Sequence, residues 1–269
     1  MSRPAGKRLA ACDRLVRAGR FAEAEPVLGE LAQLTEHARH ARRLLAAGHH
    51  IARWLDQDGP DTLSRLNGAV MRRHPDAART LLVFTGQARQ VWVSITLFDR
   101  FLRQFPINAI YLTEESGFAY MDGIAGFGAN YCAALAGMRA AVAGLGAPAL
   151  CCLGTSSGGD AALRYGLDLG AERVLAFSPY LDMRRSALFN ERFPAMVLDV
   201  AVLYRRAARV PQVRIVFGAA NAGDRATAGR FASLPDATLD PIAGYERHDV
   251  IPELIATGRL QPLLAGLLG

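Results

Sequence analysis

The sequence predicts an α/β protein: a mostly parallel sheet of six strands with helices on both faces, preceded by a small all-helical segment. Three observations carry this. From Thr80 onward, short apolar runs of strand length alternate with helical stripes six times, the order that builds a parallel sheet. Before Thr80 the apolar spacing is helical only. About half of the 269 residues are apolar, ample for a buried core.

In chain order, Leu9, Cys12, Leu15 and Val16 recur at helical spacing, and Gly19 ends that helix. Phe21, Ala24, Val27, Leu28 and Leu31 begin a second stripe, and a third helix is expected over 35–55. Gln57 to Asp61 is a turn cluster. Asp61–Met71 is expected to be a short helix, and Arg72–Ala77 a linker, dividing the chain into a helical segment (1–75) and a main domain (76–269).

Strands are expected at Thr80–Phe84, Asn108–Leu112, Ala149–Leu153, Arg173–Phe177, Gln212–Phe217 and Ala237–Asp240. Helices are expected at Val91–Phe105, Tyr131–Ala143, Asp160–Leu169, Ala222–Phe231 and within Val250–Leu268. Gly144 and Gly146 with Pro148 just beyond form a helix stop. Ser178–Val210 is a long insertion. It is read either as a connecting helix or as a cap over the site, lined by Tyr180, Leu181, Met183, Phe189 and Phe193.

Composition bounds the function classes. Residues 1–75 hold thirteen Lys or Arg against eight Asp or Glu, while 76–269 hold eighteen against seventeen, so most of the net charge of +6 belongs to the N-terminal part. No aromatic residues interleave with that charge. Solvated helix faces are therefore expected, not a nucleic-acid surface. The four cysteines have no metal-ligand spacing, and the first twenty residues lack an apolar secretory core. A cytoplasmic protein without a membrane span, metal or cofactor is expected. His37, His40, His49 and His50 lie on an Arg-rich helix without carboxylate or cysteine partners at ligand spacing, and are read as surface histidines.

One stretch carries chemistry. Gly154-Thr155-Ser156-Ser157-Gly158 is a G-x-S-x-G match set between a buried strand and a helix. A strand that turns into a helix within five residues leaves its middle residue strained and tolerates only small neighbours. Such a turn lifts the Ser156 hydroxyl clear of the strand and offers the free N–H groups of the next helix to an oxyanion. The competing reading is a Gly/Ser turn without chemistry, or a phosphate nest.

Two further segments decide between them. Phe217 to Asp224 follows the penultimate strand, and Tyr245 to Asp249 follows the last. His248 is the sole histidine after residue 75. In these features residues 80–269 resemble the α/β-hydrolase superfamily, whose chain order is Ser, Asp, His. The resemblance implies Ser156 as nucleophile, His248 as general base and Asp224 as the acid that orients it. Asp182, after the preceding strand, is the alternative acid. The implied oxyanion donors are Ser157 N–H and one from Gly86 or Gln87, where Thr85-Gly86-Gln87 replaces the family's usual His-Gly. The antiparallel strands that usually precede the parallel core are expected to be missing, replaced by the helical N-terminus. Ala18 to Pro26 is similar to the turn of one tetratricopeptide repeat, without a second copy.

Expected activity is cleavage of an ester or thioester by a serine hydrolase, with a small acyl compound as substrate. An acyltransferase using the same three residues is the alternative. A third reading is a non-catalytic protein whose N-terminal helices bind a protein partner.

Overall fold

The computed structural model describes residues 3–34, 38–55, 63–180, 191 and 200–269. Three helices come first: α1 (Arg3–Arg17), α2 (Phe21–Leu31) and α3 (Ala38–Leu55). Gly48 allows their close approach, because a Cβ there would lie 1.9 Å from the Phe21 ring. They are followed by β1 (Leu63–Leu66), β2 (Ala69–Arg72), β3 (Arg79–Phe84), α4 (Ile95–Leu102), β4 (Ile107–Leu112), α5 (Tyr131–Leu145), β5 (Ala149–Thr155) and α6 (Ser157–Leu169). The chain closes with β6 (Arg173–Phe177), α7 (Val200–Arg206), β7 (Gln212–Gly218), α8 (Ala222–Gly229), β8 (Ala237–Ile242), α9 (Val250–Ala256) and α10 (Leu260–Leu268). No described helix is long and apolar enough to cross a membrane.

The sheet has eight strands in the order β1-β2-β4-β3-β5-β6-β7-β8. β3 to β8 are parallel, and β2 pairs antiparallel with β4. Two strands thus exceed the expected six, and they lie where a short helix was expected. Leu63, Leu66, Val70 and Met71 fit a helical stripe as well as two short strands. Asn67-Gly68 decides it: both residues have positive φ, 51° and 88°, the two-residue hairpin turn such a pair favours. The expected linker begins instead with a buried strand end. Arg72 donates to Asp99 Oδ1 and to Leu102 O, each at 3.0 Å, tying the hairpin to α4.

Side chains along β5 alternate between two cores. Cys151 and Leu153 enter the one shared with α4, α9, α10 and the N-terminal helices; Cys152 enters the other, with α5, α6 and α7. Burial pushes both thiols up, so they act as small apolar groups. α3 packs against α9 and α4, which makes α1–α3 an outer layer on that face.

The helix expected over Val91–Phe105 is shorter. It starts at Ile95, where Ser94 Oγ accepts from Leu97 N–H at 3.2 Å. Residues 86–94 are an irregular loop containing Arg89 and Trp92 at positive φ. The closing helix is broken in two at Gly258, φ 68°. The connection leaves β3 for β4 on one side and returns to β5 on the other. Strand order reverses there, so the crevice at the carboxyl ends of β3 and β5 is where a site belongs.

Candidate active site

Ser156 stands at the end of β5, at φ 54° and ψ −123°. An L-residue rarely adopts that conformation, and its neighbours hold it there. Ser156 N–H donates to Phe177 O at 3.0 Å, and Tyr180 N–H donates to Ser156 O at 2.9 Å. The flanking glycines are steric requirements. A Cβ on Gly154 would lie 1.9 Å from Gly158 O, and one on Gly158 would lie 2.3 Å from Phe84 O.

Asp224 lies in the first turn of α8, where the helix N-terminus favours a carboxylate. Its N–H donates to Asn221 Oδ1 at 3.1 Å, which caps that helix. His248 lies in the loop between β8 and α9. The two segments are joined by Ala220 N–H donating to Tyr245 O at 2.9 Å. Gly218 is needed there, since a Cβ would meet Tyr245 O at 2.6 Å.

These placements bring three of the sequence candidates into one line. His248 Nδ1 is 2.7 Å from Asp224 Oδ1, and Nε2 is 2.9 Å from Ser156 Oγ. With its proton on Nδ1, the imidazole donates to Asp224 and accepts from the serine hydroxyl. Asp224 is buried, while the His248 side chain is 34% exposed and open to a reactant. Two rings hold the imidazole edge-on: Trp92 at 5.4 Å and Tyr180 at 6.4 Å between centroids.

The candidate oxyanion donors divide. Ser157 begins α6, so its N–H has no intrahelical acceptor. Gly86 N–H already donates to Gln90 O at 3.2 Å, within a tight turn. Gln87 N–H meets no backbone acceptor among the described residues. Gly86 instead lies against the elbow, where a Cβ would sit tightly at 3.2 Å from Thr155 O. The alternative acid, Asp182, lies outside the described residues, as do Leu181, Met183, Phe189 and Phe193 of the suggested cap.

Sequence reasoning missed several neighbours. Ser157 Oγ–H donates to the buried Glu114 at 2.9 Å, and burial raises that carboxyl. Tyr120 Oη, 2.9 Å from Thr85 O and 2.8 Å from Leu112 O, bridges the ends of β3 and β4. Trp92 carried no signal because it lay inside an expected helix. Asp249, adjacent to the histidine, faces the N-terminal helices: Arg247 donates to both its oxygens, at 2.8 and 2.7 Å, and Arg17 donates to Oδ2.

His40 of α3 joins this junction, accepting from Arg247 with its Nδ1 at 3.3 Å. It is half-buried, not a surface residue as its Arg-rich helix suggested. Burial first, then Arg247 and Arg17, lower its pKa against the opposing pull of Asp13 and Asp249. A folded value below the unfolded one means that the unfolded chain binds the proton more readily. Stability is therefore lost as pH falls through about 6.5, the unfolded value, toward the folded one. His40→Gln should flatten that acid limb. Urea midpoints at pH 7.5 and 5 measure it, and a limb as steep as wild type refutes the assignment.

No known family model matches the chain, and no curated protein matches it. Solved structures do. Esterase 2 of Thermogutta terrifontis is 15% identical with a TM-score of 0.52, covering 79% of this chain and 98% of its own. An S-formylglutathione hydrolase from Agrobacterium tumefaciens is 13% identical with a TM-score of 0.51, covering 78% and 99%. The capsule O-acetyltransferase of Neisseria meningitidis serogroup A is 12% identical with a TM-score of 0.54, covering 78% and 97%. At such identities the likeness is one of architecture: this chain has an α/β-hydrolase-like fold.

Proposed function

We propose that the protein is a serine hydrolase that cleaves a small ester or thioester through an acyl-enzyme on Ser156. The observation that carries this reading is the hydrogen-bonded line from Ser156 Oγ through His248 to Asp224, at 2.9 and 2.7 Å. In that reading Ser156 Oγ attacks the acyl carbon as His248 Nε2 takes its proton. Asp224 keeps the other imidazole proton on Nδ1 and stabilises the imidazolium. The N–H groups of Ser157 and Gln87 hold the oxyanion. Collapse breaks the bond to the leaving alkoxide or thiolate, which takes the proton back from His248. A water, deprotonated by the same nitrogen, then attacks the acyl-enzyme and releases the acid and free Ser156.

The acyltransferase alternative differs only in the second half, where an acceptor hydroxyl replaces water. The partner-binding alternative needs none of these groups. Reaction with a fluorophosphonate probe, followed by mass spectrometry of the labelled peptide, tests the central claim. Ser156 should be the labelled residue. A label on Ser157, or none from several probes, defeats the reading. Adding sugar or alcohol acceptors to an ester assay then separates transfer from hydrolysis, because only transfer yields the acylated acceptor.

A further inference from the structure

We infer that the N-terminal helices complete the active site, with Arg17 of α1 as the residue that positions His248 and the 86–94 loop together. This rests on the serine-hydrolase reading for its rate effect, but not for its geometry.

A single guanidinium is bonded both to the loop that carries Trp92 and to the loop that carries His248. Arg17 Nη1–H donates to Trp92 O at 3.0 Å, and Trp92 is the residue whose ring meets His248 edge-on. Arg17 Nη2–H donates to Asp249 Oδ2, on the residue that follows His248. Nε–H donates to Asp13 Oδ1 at 2.8 Å, one turn earlier on α1, which fixes the fork. The backbone adds a fourth tie, Ser94 N–H donating to Arg17 O at 2.9 Å. The side chain is only 18% exposed and Asp249 only 15%, so water screens the pair little.

α3 braces the same loop. Arg43 stacks 5.1 Å over the Tyr245 ring and pairs with Glu253 at 3.2 Å. Tyr245 Oη–H in turn donates to Asp249 O at 2.9 Å. The void left between α1, α3 and the loop is about 20 Å³, room for one water. The His248 loop and the Trp92 loop come from opposite halves of the chain, and Arg17 joins them through hydrogen bonds to both.

A planar five-donor fork holds its partners in fixed directions, whereas a lysine ammonium is a compact charge with three rotatable donors on a flexible stem. Arg17→Met should therefore loosen the imidazole while the chain stays folded. Misplacement of a catalytic group by about 1 Å costs on the order of 100-fold. For Arg17→Met we expect kcat on an activated ester to fall about 10- to 100-fold at nearly unchanged KM, with part recovered in Arg17→Lys. Arg8→Met, which removes the exposed α1–α2 pair with Glu30, serves as the control for general loosening and should keep wild-type kcat.

The second readout needs no turnover. Nitrogen NMR of the His248 ring should show one tautomer in wild type and exchange averaging in Arg17→Met. If Arg17→Met does not fold, Asp249→Asn replaces it, with the same direction expected in both readouts. An unchanged ring spectrum and unchanged kcat in the folded variant overturn the inference, as does an equal kcat loss in Arg8→Met. If wild type turns over no ester but Arg17→Met still shows the ring change, the hydrolase reading is defeated and the positioning role stands.

Discussion

Replacing Ser156 by glycine is expected to abolish turnover and, at the same time, to stabilise the folded protein. Removing the nucleophile of a serine hydrolase costs on the order of 10⁶ in kcat. The gain comes from the backbone. Ser156 sits at φ 54° and ψ −123°, where a residue with a Cβ carries roughly 1–3 kcal/mol of strain. Glycine relieves it and returns about 0.5–1 kcal/mol through its freer unfolded chain. The net should be on the order of 1 kcal/mol, a rise in Tm of about 2–4 °C for a chain of this size. Ser156→Ala is the comparison, since it loses the hydroxyl and keeps the strain. Calorimetry of both variants checks it: a glycine variant melting below the alanine one shows that the elbow stores no strain.

The second large effect belongs to the acid. Asp224→Asn should lower kcat by about 10⁴ with unchanged thermal stability, because an amide at 2.7 Å from Nδ1 no longer selects the required tautomer. Asp182→Asn should leave the rate near wild type. Both variants are to be compared on one activated ester. A severe loss in Asp182→Asn with near-normal Asp224→Asn transfers the role to Asp182 and leaves the contact between Ser156 and His248 as it is.

Much of the sheet was legible because its central strands are buried on both faces. Leu81 to Phe84 and Leu150 to Leu153 read as continuous apolar runs for that reason. The serine elbow was legible because its glycines answer to a local steric demand, the close approach of Gly154 to Gly158 and of Gly158 to Phe84. The edge hairpin was not, since four-residue strands show no decisive period and only Asn67-Gly68 distinguished it. Nor was the Gly86 N–H contact to Gln90, which depends on how one turn closes. The contacts of Arg17 were the least legible. A charge at helical spacing on a basic amphipathic stretch looks like a solvated residue until the partner, far along the chain, is in place.

That separation has a consequence for how the molecule comes to be. Arg17 and Asp249 are 232 residues apart, and His40 and Arg247 are 207 apart. At about 5–20 residues per second, the first helices leave the ribosome roughly 10 to 50 seconds before the segment they hold. Through that interval the side of α3 that will meet α9 has no native cover, and a nascent chain that already carries the serine elbow still lacks its histidine. The contacts around His248 thus join segments made far apart in time, and a chain that ends before residue 248 holds neither the imidazole beside Ser156 nor the contact of Arg17 to Asp249.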